Sequence, residues 1–335
     1  MQRGSSISTL NASAVGLCMG VPMGFAFRYS SMSSPTVIRA QLEMRDWRMM
    51  KTFLSAVSVS GLCVCGAYAA SAITLNSRPF NVITTPLGGA LLGAGMYLVG
   101  SCPGTVWAQL GAGTQDAPFI MLGGIIGSVT YAFVKDFLPA TTSGLFLHSD
   151  ILGIPYLKLA IPIFGLIAAS LAGAELWNHK RGQKIFYEPY LSGLAIGLLQ
   201  LPAMFFINTT LGTSSAFLTI PATCMRLAGI ENSTLCKFSS VPKNYWQVGL
   251  DLGITLGSWI YSNRNNTPKA RRTQSQVGKC LLGGFLLLFG ARLADGCTSG
   301  HGLSGMANLS VSSLVAVAAM FTSGMLCGQI NKAIR

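Results

Sequence analysis

Charge is scarce in this chain, and acid scarcer still: Asp and Glu number ten against 23 Lys and Arg in 335 residues. A tenth of the residues are charged, half are hydrophobic and the mean hydropathy is +0.51, a composition that argues against a soluble globule. Histidine is rarer, with three copies. None stands near Cys63 and Cys65, a Cys-x-Cys whose side chains point to different sides of a helix, so no metal site is expected there. No Walker loop appears, which argues against ATP-driven pumping. The run "GGALLGAG" has neither a preceding strand nor an acid about 20 residues on, so it is not a dinucleotide fingerprint and no cofactor is expected. Nine cysteines, an odd number and mostly inside apolar stretches, do not make a secreted disulfide framework. Cys18, Cys63, Cys65, Cys224, Cys280 and Cys327 read as small buried hydrophobes. The +13 net charge sits in short basic loops, which fits membrane orientation better than nucleic-acid binding.

What the chain has in plenty is apolar runs. Windows of the length needed to cross about 30 Å of hydrocarbon fall near 10–27, 52–73, 82–101, 117–135, 158–178, 189–208, 245–262, 279–296 and 307–330. Nine crossings divide as four, one and four, giving a first half over 1–157, a linker helix and basic loop over 158–188, and a second half over 189–335. Placing the segment after the first span inside puts fifteen Lys and Arg inside, among them Arg45, Lys51, Lys184, Lys269, Arg271, Arg272 and Arg335. Seven fall outside: Arg3, Arg78, Lys135, Lys158, Arg226, Lys237 and Lys243, as the positive-inside rule requires. The opening "MQRGSSISTLNASAVG" reads as a solvated tail in preference to a transit peptide. The plasma membrane is therefore expected over an organellar one. Trp47, Trp177 and Trp246 stand near span ends, as interfacial anchors do, and Glu175 and His179, at i and i+4, are expected to pair.

One phrase is written twice, 195 residues apart. "LGGALLGAGMYLVGSCPGT" (Leu87 to Thr105) and "LGGFLLLFGARLADGCTSG" (Leu282 to Gly300) align Gly88, Gly89, Gly95 and Cys102 with Gly283, Gly284, Gly290 and Cys297. With an unpaired fifth span, the second copy enters from the opposite face. Gly-interrupted segments at matching positions of two inverted halves point to a transport site at mid-membrane. Irregular backbone is tolerated at that depth only inside protein or along a cavity, so two such breaks would form one constriction. A second pair of irregular stretches, "FRYSSMSSPTVIRA" and "NTTLGTSSAFLTIPA", follows spans one and six and is expected to complete the vestibules.

The candidate pathway residues follow from these breaks. Cys102 and Cys297 lead, because a thiol is a weak donor with a soft, polarisable sulfur suited to sulfur-containing solutes. Pro103, Gly104 and Thr105 follow the first, and Thr298 and Ser299 the second; helix starts at Thr105 and near Ser304 would offer N–H groups to an anion. Arg292 and Asp295 either pair at i,i+3 or divide the work, the arginine attracting an anion and the aspartate orienting the loop. His301 either donates to an anion or bonds the loop.

At these two motifs the chain resembles the YeeE/YedE family of sulfur-compound transporters. "GARLADGCTSGHGLSGMANLS" is very close to that family's second-half signature; "GAGMYLVGSCPGT" with "QLGAG" is similar to its first. The resemblance implies an all-α, polytopic membrane protein with an hourglass centre, and thiosulfate or a related sulfur oxyanion as solute. Family importers carry three pathway cysteines; two map onto Cys102 and Cys297, and the third falls near Ser33, where this chain has no cysteine. The leading expectation is therefore non-enzymatic passage of a sulfur anion across a lipid bilayer through the cysteine constriction. The alternatives are a persulfide on Cys297 handed to a soluble sulfurtransferase, which needs Arg292 nearby, and a small-solute channel in which the cysteines only pack.

Overall fold

Nine glycines on four helices set the packing of the chain, because each lets another backbone come within a side chain's width. The computed structural model describes residues 8–139, 142–181, 186–207, 209–230, 232–267 and 277–334. In order, its helices are α1 (Thr9–Tyr29), α2 (Pro35–Leu42), α3 (Arg48–Ala69), α4 (Thr84–Val99), α5 (Pro103–Gly111), α6 (Ala117–Val134) and α7 (Tyr156–Lys180). There follow α8 (Glu188–Leu198), α9 (Gln200–Ile207), α10 (Ala216–Leu227), α11 (Ser233–Ser240), α12 (Tyr245–Arg264), α13 (Val277–Leu293) and α14 (Val311–Ile334). Two isolated bridges, Phe80–Thr142 and Phe146–Ser310, are the only strand-like pairings among the described residues. This is an all-α polytopic membrane protein.

Six segments are long and apolar enough to cross a bilayer: α1, α3, Ala117–Phe137, α7, Glu188–Ile207 and α14. The other expected crossings correspond to α4, α12 and α13. At 16 and 17 residues, α4 and α13 rise only about 25 Å. They stop short because each runs into a break inside the protein. Helix α12 has the length but carries Gln247 and Asp251 in its first half.

The helices pair in matched sets. Helix α1 packs along α12 and α8 along α3; α4 lies on α14 and α13 on α6. In the first set, Gly16, Gly20 and Gly24 rest in turn on Trp246, Leu250 and Ile254, so α1 and α12 run parallel. Gly193 and Gly197 meet Thr52 and Ala56 in the same way, so α8 and α3 are parallel too. Small residues every fourth position are the usual means of bringing membrane helices into close contact. Helices α4 and α13 cross antiparallel at the centre. A methyl on Gly88 would come 2.7 Å from the Gly290 carbonyl, and one on Gly95 2.8 Å from the Gly283 carbonyl. Helix α7 stands apart, resting mainly on α3 and leaving Ile161, Leu166 and Leu176 exposed on an apolar surface suited to lipid.

Several expectations change here. Trp246 is only 2% exposed, packed under α1, and is no interfacial anchor, whereas Trp47 and Trp177 are exposed. Glu175 binds Lys51 (2.7 Å) and the Tyr190 hydroxyl (2.8 Å) instead of His179, since α3 and α8 bring those groups to its face of α7. Cys18 and Cys224 are exposed, and none of the nine cysteines forms a disulfide. Arg3, Lys184, Lys269, Arg271, Arg272, Arg335 and Asn208 lie outside the described residues.

Candidate functional site

Helix α4 ends at Gly100, whose φ of +65° is open to glycine at no steric cost. The chain then turns through Ser101, and Cys102 caps α5. The Thr105 N–H and hydroxyl both donate to the Cys102 sulfur (3.4 and 3.3 Å), while the Cys102 N–H donates to the Thr105 hydroxyl oxygen (2.7 Å). This reciprocal cap is why "CPGT" starts a helix, with Pro103 at the first position where no N–H is needed. Gln109, fully buried on α5, donates to the carbonyls of Ser33 (3.0 Å) and Gly100 (2.9 Å). One amide thus ties the break after α1 to the break after α4. Ser33 is itself fully buried, its hydroxyl turned back to the Phe27 carbonyl (3.4 Å).

The second break follows α13. Asp295 takes the position of Gly100 with a φ of +60°, and Cys297 begins a helical stretch over 298–307 that widens to π-turns across Gly300–Gly305. The His301 N–H donates to the Cys297 carbonyl (2.8 Å). The helix start lies therefore at Thr298, directly after the cysteine, and not near Ser304. Ser304 is spent on Gln200 (3.0 Å) and the Leu211 carbonyl (2.9 Å). The Cys297 sulfur lies 3.2 Å from the Ser299 hydroxyl and 3.7 Å from that of Thr213, and these two hydroxyls are 3.1 Å apart.

Arg292 is 8% exposed, hydrogen-bonds Ser214 and lies over the Phe238 ring (5.5 Å), with its Nε unpartnered. Arg292 and Asp295 form no ion pair: the three ion pairs among the described residues lie elsewhere. The left-handed turn at Asp295 sends its side chain outward. Arg78 steadies that turn from the α3–α4 connection, donating to the carbonyls of Asp295 (2.7 Å) and Gly300 (3.2 Å). His301 has both ring nitrogens engaged, Nε2 with the Ala294 carbonyl and Nδ1 with the Ser313 hydroxyl, each 2.9 Å. A carbonyl only accepts, so Nε2 carries the proton and the neutral ring takes the Ser313 hydrogen at Nδ1. That arrangement favours loop bonding over anion donation. Thr298 points its hydroxyl between the Met96 and Met320 sulfurs (3.6 and 3.3 Å).

The two breaks meet. A methyl on Gly104 would stand 2.9 Å from the Thr213 hydroxyl, so α5 abuts the Cys297 cluster through a residue with no side chain. Cys102, Gly104, Thr298 and Ser299 line one buried cavity with Met23 and Met32. Its volume is about 20 Å3, room for roughly one water. Cys102 and Cys297 are 6% and 1% exposed. No cluster of three or more His, Cys, Asp or Glu suited to a metal occurs among the described residues.

Sequence reasoning missed Gln109, Arg78, Thr213 and Ser214 as individual residues, and it missed Asp251. Aligning "SSPTVI" with "SSAFLTI" places Ser33 and Ser214 at the same step before α2 and α10, a signal that was available. A lone acid within an apolar span was another.

A family described as sulphur transport matches residues 29–326. The thiosulfate transporter TsuA of Escherichia coli (strain K12) is 24% identical over 325 residues, 86% of each chain. The thiosulfate transporter TsuA of Spirochaeta thermophila is 24% identical over 334 residues, 90% of this chain and 93% of the relative. A probable transporter of Xylella fastidiosa (strain 9a5c) is 34% identical over 74 residues, 22% of this chain and 55% of the relative.

Proposed function

The chain belongs to the sulphur transport family, and we propose that it carries a small sulfur anion, thiosulfate first, through a constriction between Cys102 and Cys297. The observation that carries this reading is the meeting of two cysteine-capped helix starts across the Gly104–Thr213 contact. Each sulfur sits beside polar hydrogens: the N–H and hydroxyl of Thr105 at Cys102, the hydroxyls of Thr213 and Ser299 at Cys297. Such donors hold an oxyanion, while the polarisable sulfurs suit its terminal sulfur. Ser33, in the place of a third thiol, offers its side chain to Phe27 and contributes shape, not softness.

The halves 1–157 and 189–335 act in this reading as inverted repeats joined through α7. The crossing of α4 and α13 supports it. Gly88 is the repeat partner of Gly283 yet faces Gly290; Gly95, partner of Gly290, faces Gly283. A two-fold axis in the membrane plane produces that exchange. With room for about one water at the centre, the short helices must part for an anion to pass, giving an hourglass that opens from either side. The plasma membrane is the proposed location. A persulfide handed to a soluble sulfurtransferase finds less support, since Cys297 is 1% exposed.

The test is uptake of radiolabelled thiosulfate by proteoliposomes, with sulfate and selenite as competitors. Wild type should take up thiosulfate, and Cys297→Ser should cut uptake about tenfold, the loss of about 1.4 kcal/mol at one contact. Equal uptake by the two would remove the thiol from the mechanism.

A further inference from the structure

Asp251 is 0% exposed, and neither carboxyl oxygen has a hydrogen-bond partner among the described residues. It stands on a helix that crosses the bilayer beside the proposed constriction. Thr255, one turn further along the same face, donates to the Trp107 carbonyl of α5 (3.3 Å). The carboxyl therefore lies on the side of α12 turned towards α5, whose first residue follows Cys102. The Trp107 indole N–H, on the same short helix, is likewise buried without a partner. Packing alone accounts for little here: an apolar residue would fill this place without an unsatisfied polar group.

The ionisable surroundings are sparse. Helix α5 carries none. Helix α1 carries Cys18, which faces outward, and Arg28 and Tyr29 at its far end. Helix α10 offers Cys224 and Arg226, both exposed, and the turn Pro242–Asn244 offers Lys243 before α12 begins. On α12 itself Tyr245, Tyr261 and Arg264 stand towards the ends. Cys102, directly before α5, is the titratable group at the end of that helix.

We propose that Asp251 is a proton-binding site that couples proton movement to passage of the anion through the Cys102–Cys297 constriction. This rests on the transport reading above and adds its energy source. A carboxylate and an anion repel strongly where water is excluded, so the anion enters readily only when Asp251 carries a proton. By linkage, the anion in turn holds the proton in place. The step is a simple one: the carboxylate binds a proton from one side, becomes a neutral acid while the anion passes, and releases the proton to the other side. No electrons move. A proton carried inward also offsets one negative charge against an inside-negative potential.

Proteoliposomes loaded with a pH-sensitive dye test this. Adding thiosulfate outside wild-type vesicles should acidify the lumen, and accumulation should rise about tenfold per unit of inward pH gradient for one coupled proton. In Asp251→Asn, the neutral amide of the same shape, the ratio of uptake with and without the gradient should fall to about one. Asp251→Glu should restore part of the gradient response. Thiosulfate uptake without lumenal acidification, or with a response to a sodium gradient instead, overturns the proposal and leaves the transport reading standing. Absence of thiosulfate uptake in wild type overturns the transport reading. The wild-type dye signal decides the matter even where the variants do not fold.

Discussion

The two breaks present a cysteine at the same repeat position, yet their surroundings differ in kind. At Cys102 the donors are local: Thr105 supplies both, and Gln109 closes the neighbouring carbonyls. At Cys297 the neighbouring Ser299 is joined by Thr213 from afar, and Arg78 braces the loop. Two buried ionisable side chains, Arg292 and Asp251, belong to the second half. Arg292 stands where the first half has Tyr97, and Asp251 lies on α12, while α3, its counterpart, has no ionisable side chain between Lys51 and Cys63. Duplication supplied two frames of one shape. In the transport reading proposed above, the buried Arg292 makes the second break the place to recognise an anion, and the first a scaffold that presents a thiol to it.

The comparison breaks most visibly at the cysteines. Cys297→Ala should lower thiosulfate uptake about 100-fold, on the scale of removing one positioned donor from an oxyanion site. Cys102→Ala should lower it about tenfold, because the N–H and hydroxyl of Thr105 remain beside the space. Initial uptake rates of the two variants at matched reconstitution check this, and equal losses would mean that the halves share the solute evenly. A smaller effect separates Arg292 from Tyr97. Arg292→Gln should raise the apparent KM about tenfold by removing the buried positive charge. Tyr97→Phe, which loses the bond from its hydroxyl to Glu43 (3.1 Å), should stay within about twofold, on the scale of an ordinary hydrogen bond. A concentration series for each variant gives both values.

Six of the nine apolar windows fall on segments long and apolar enough to cross a bilayer and the other three on α4, α12 and α13, with ends a few residues off, because hydrocarbon length and apolar composition are local properties. The doubled cysteine phrase located both breaks for the same reason. What stayed hidden was every bond between breaks. Gln109 reads as one more residue of "QLGAG" until α1 and α4 are seen to end beside it. His301 and Ser304 looked available because nothing local consumes them; Ser313, Ala294, Gln200 and Leu211 do so from other elements. Trp246 looked interfacial by position, but the glycine face of α1 covers it. Asp251 is legible in principle, as an acid in an apolar span, but it lies outside the repeated phrase that marks the breaks.

The smallest difference between the halves is one of backbone strain, at Gly100 and Asp295. Both residues hold a left-handed φ where a long helix stops. Glycine takes that conformation freely, whereas an L side chain pays roughly 1–2 kcal/mol, somewhat less for aspartate. Gly100 has a second constraint: a methyl there would fall 2.6 Å from the Pro35 carbonyl. Gly100→Ala should therefore lower the unfolding temperature by several degrees, since it adds a clash to the strain. Asp295→Gly should relieve about 0.5 kcal/mol, a rise of about 1 °C for a chain of this size, because the exposed carboxylate makes no ion pair that would be lost. Thermal unfolding in one detergent resolves the sign. A fall on Asp295→Gly would show that the carboxylate steadies Arg292 through space, and would move Asp295 from a strained turn into the group that tunes the anion-attracting charge.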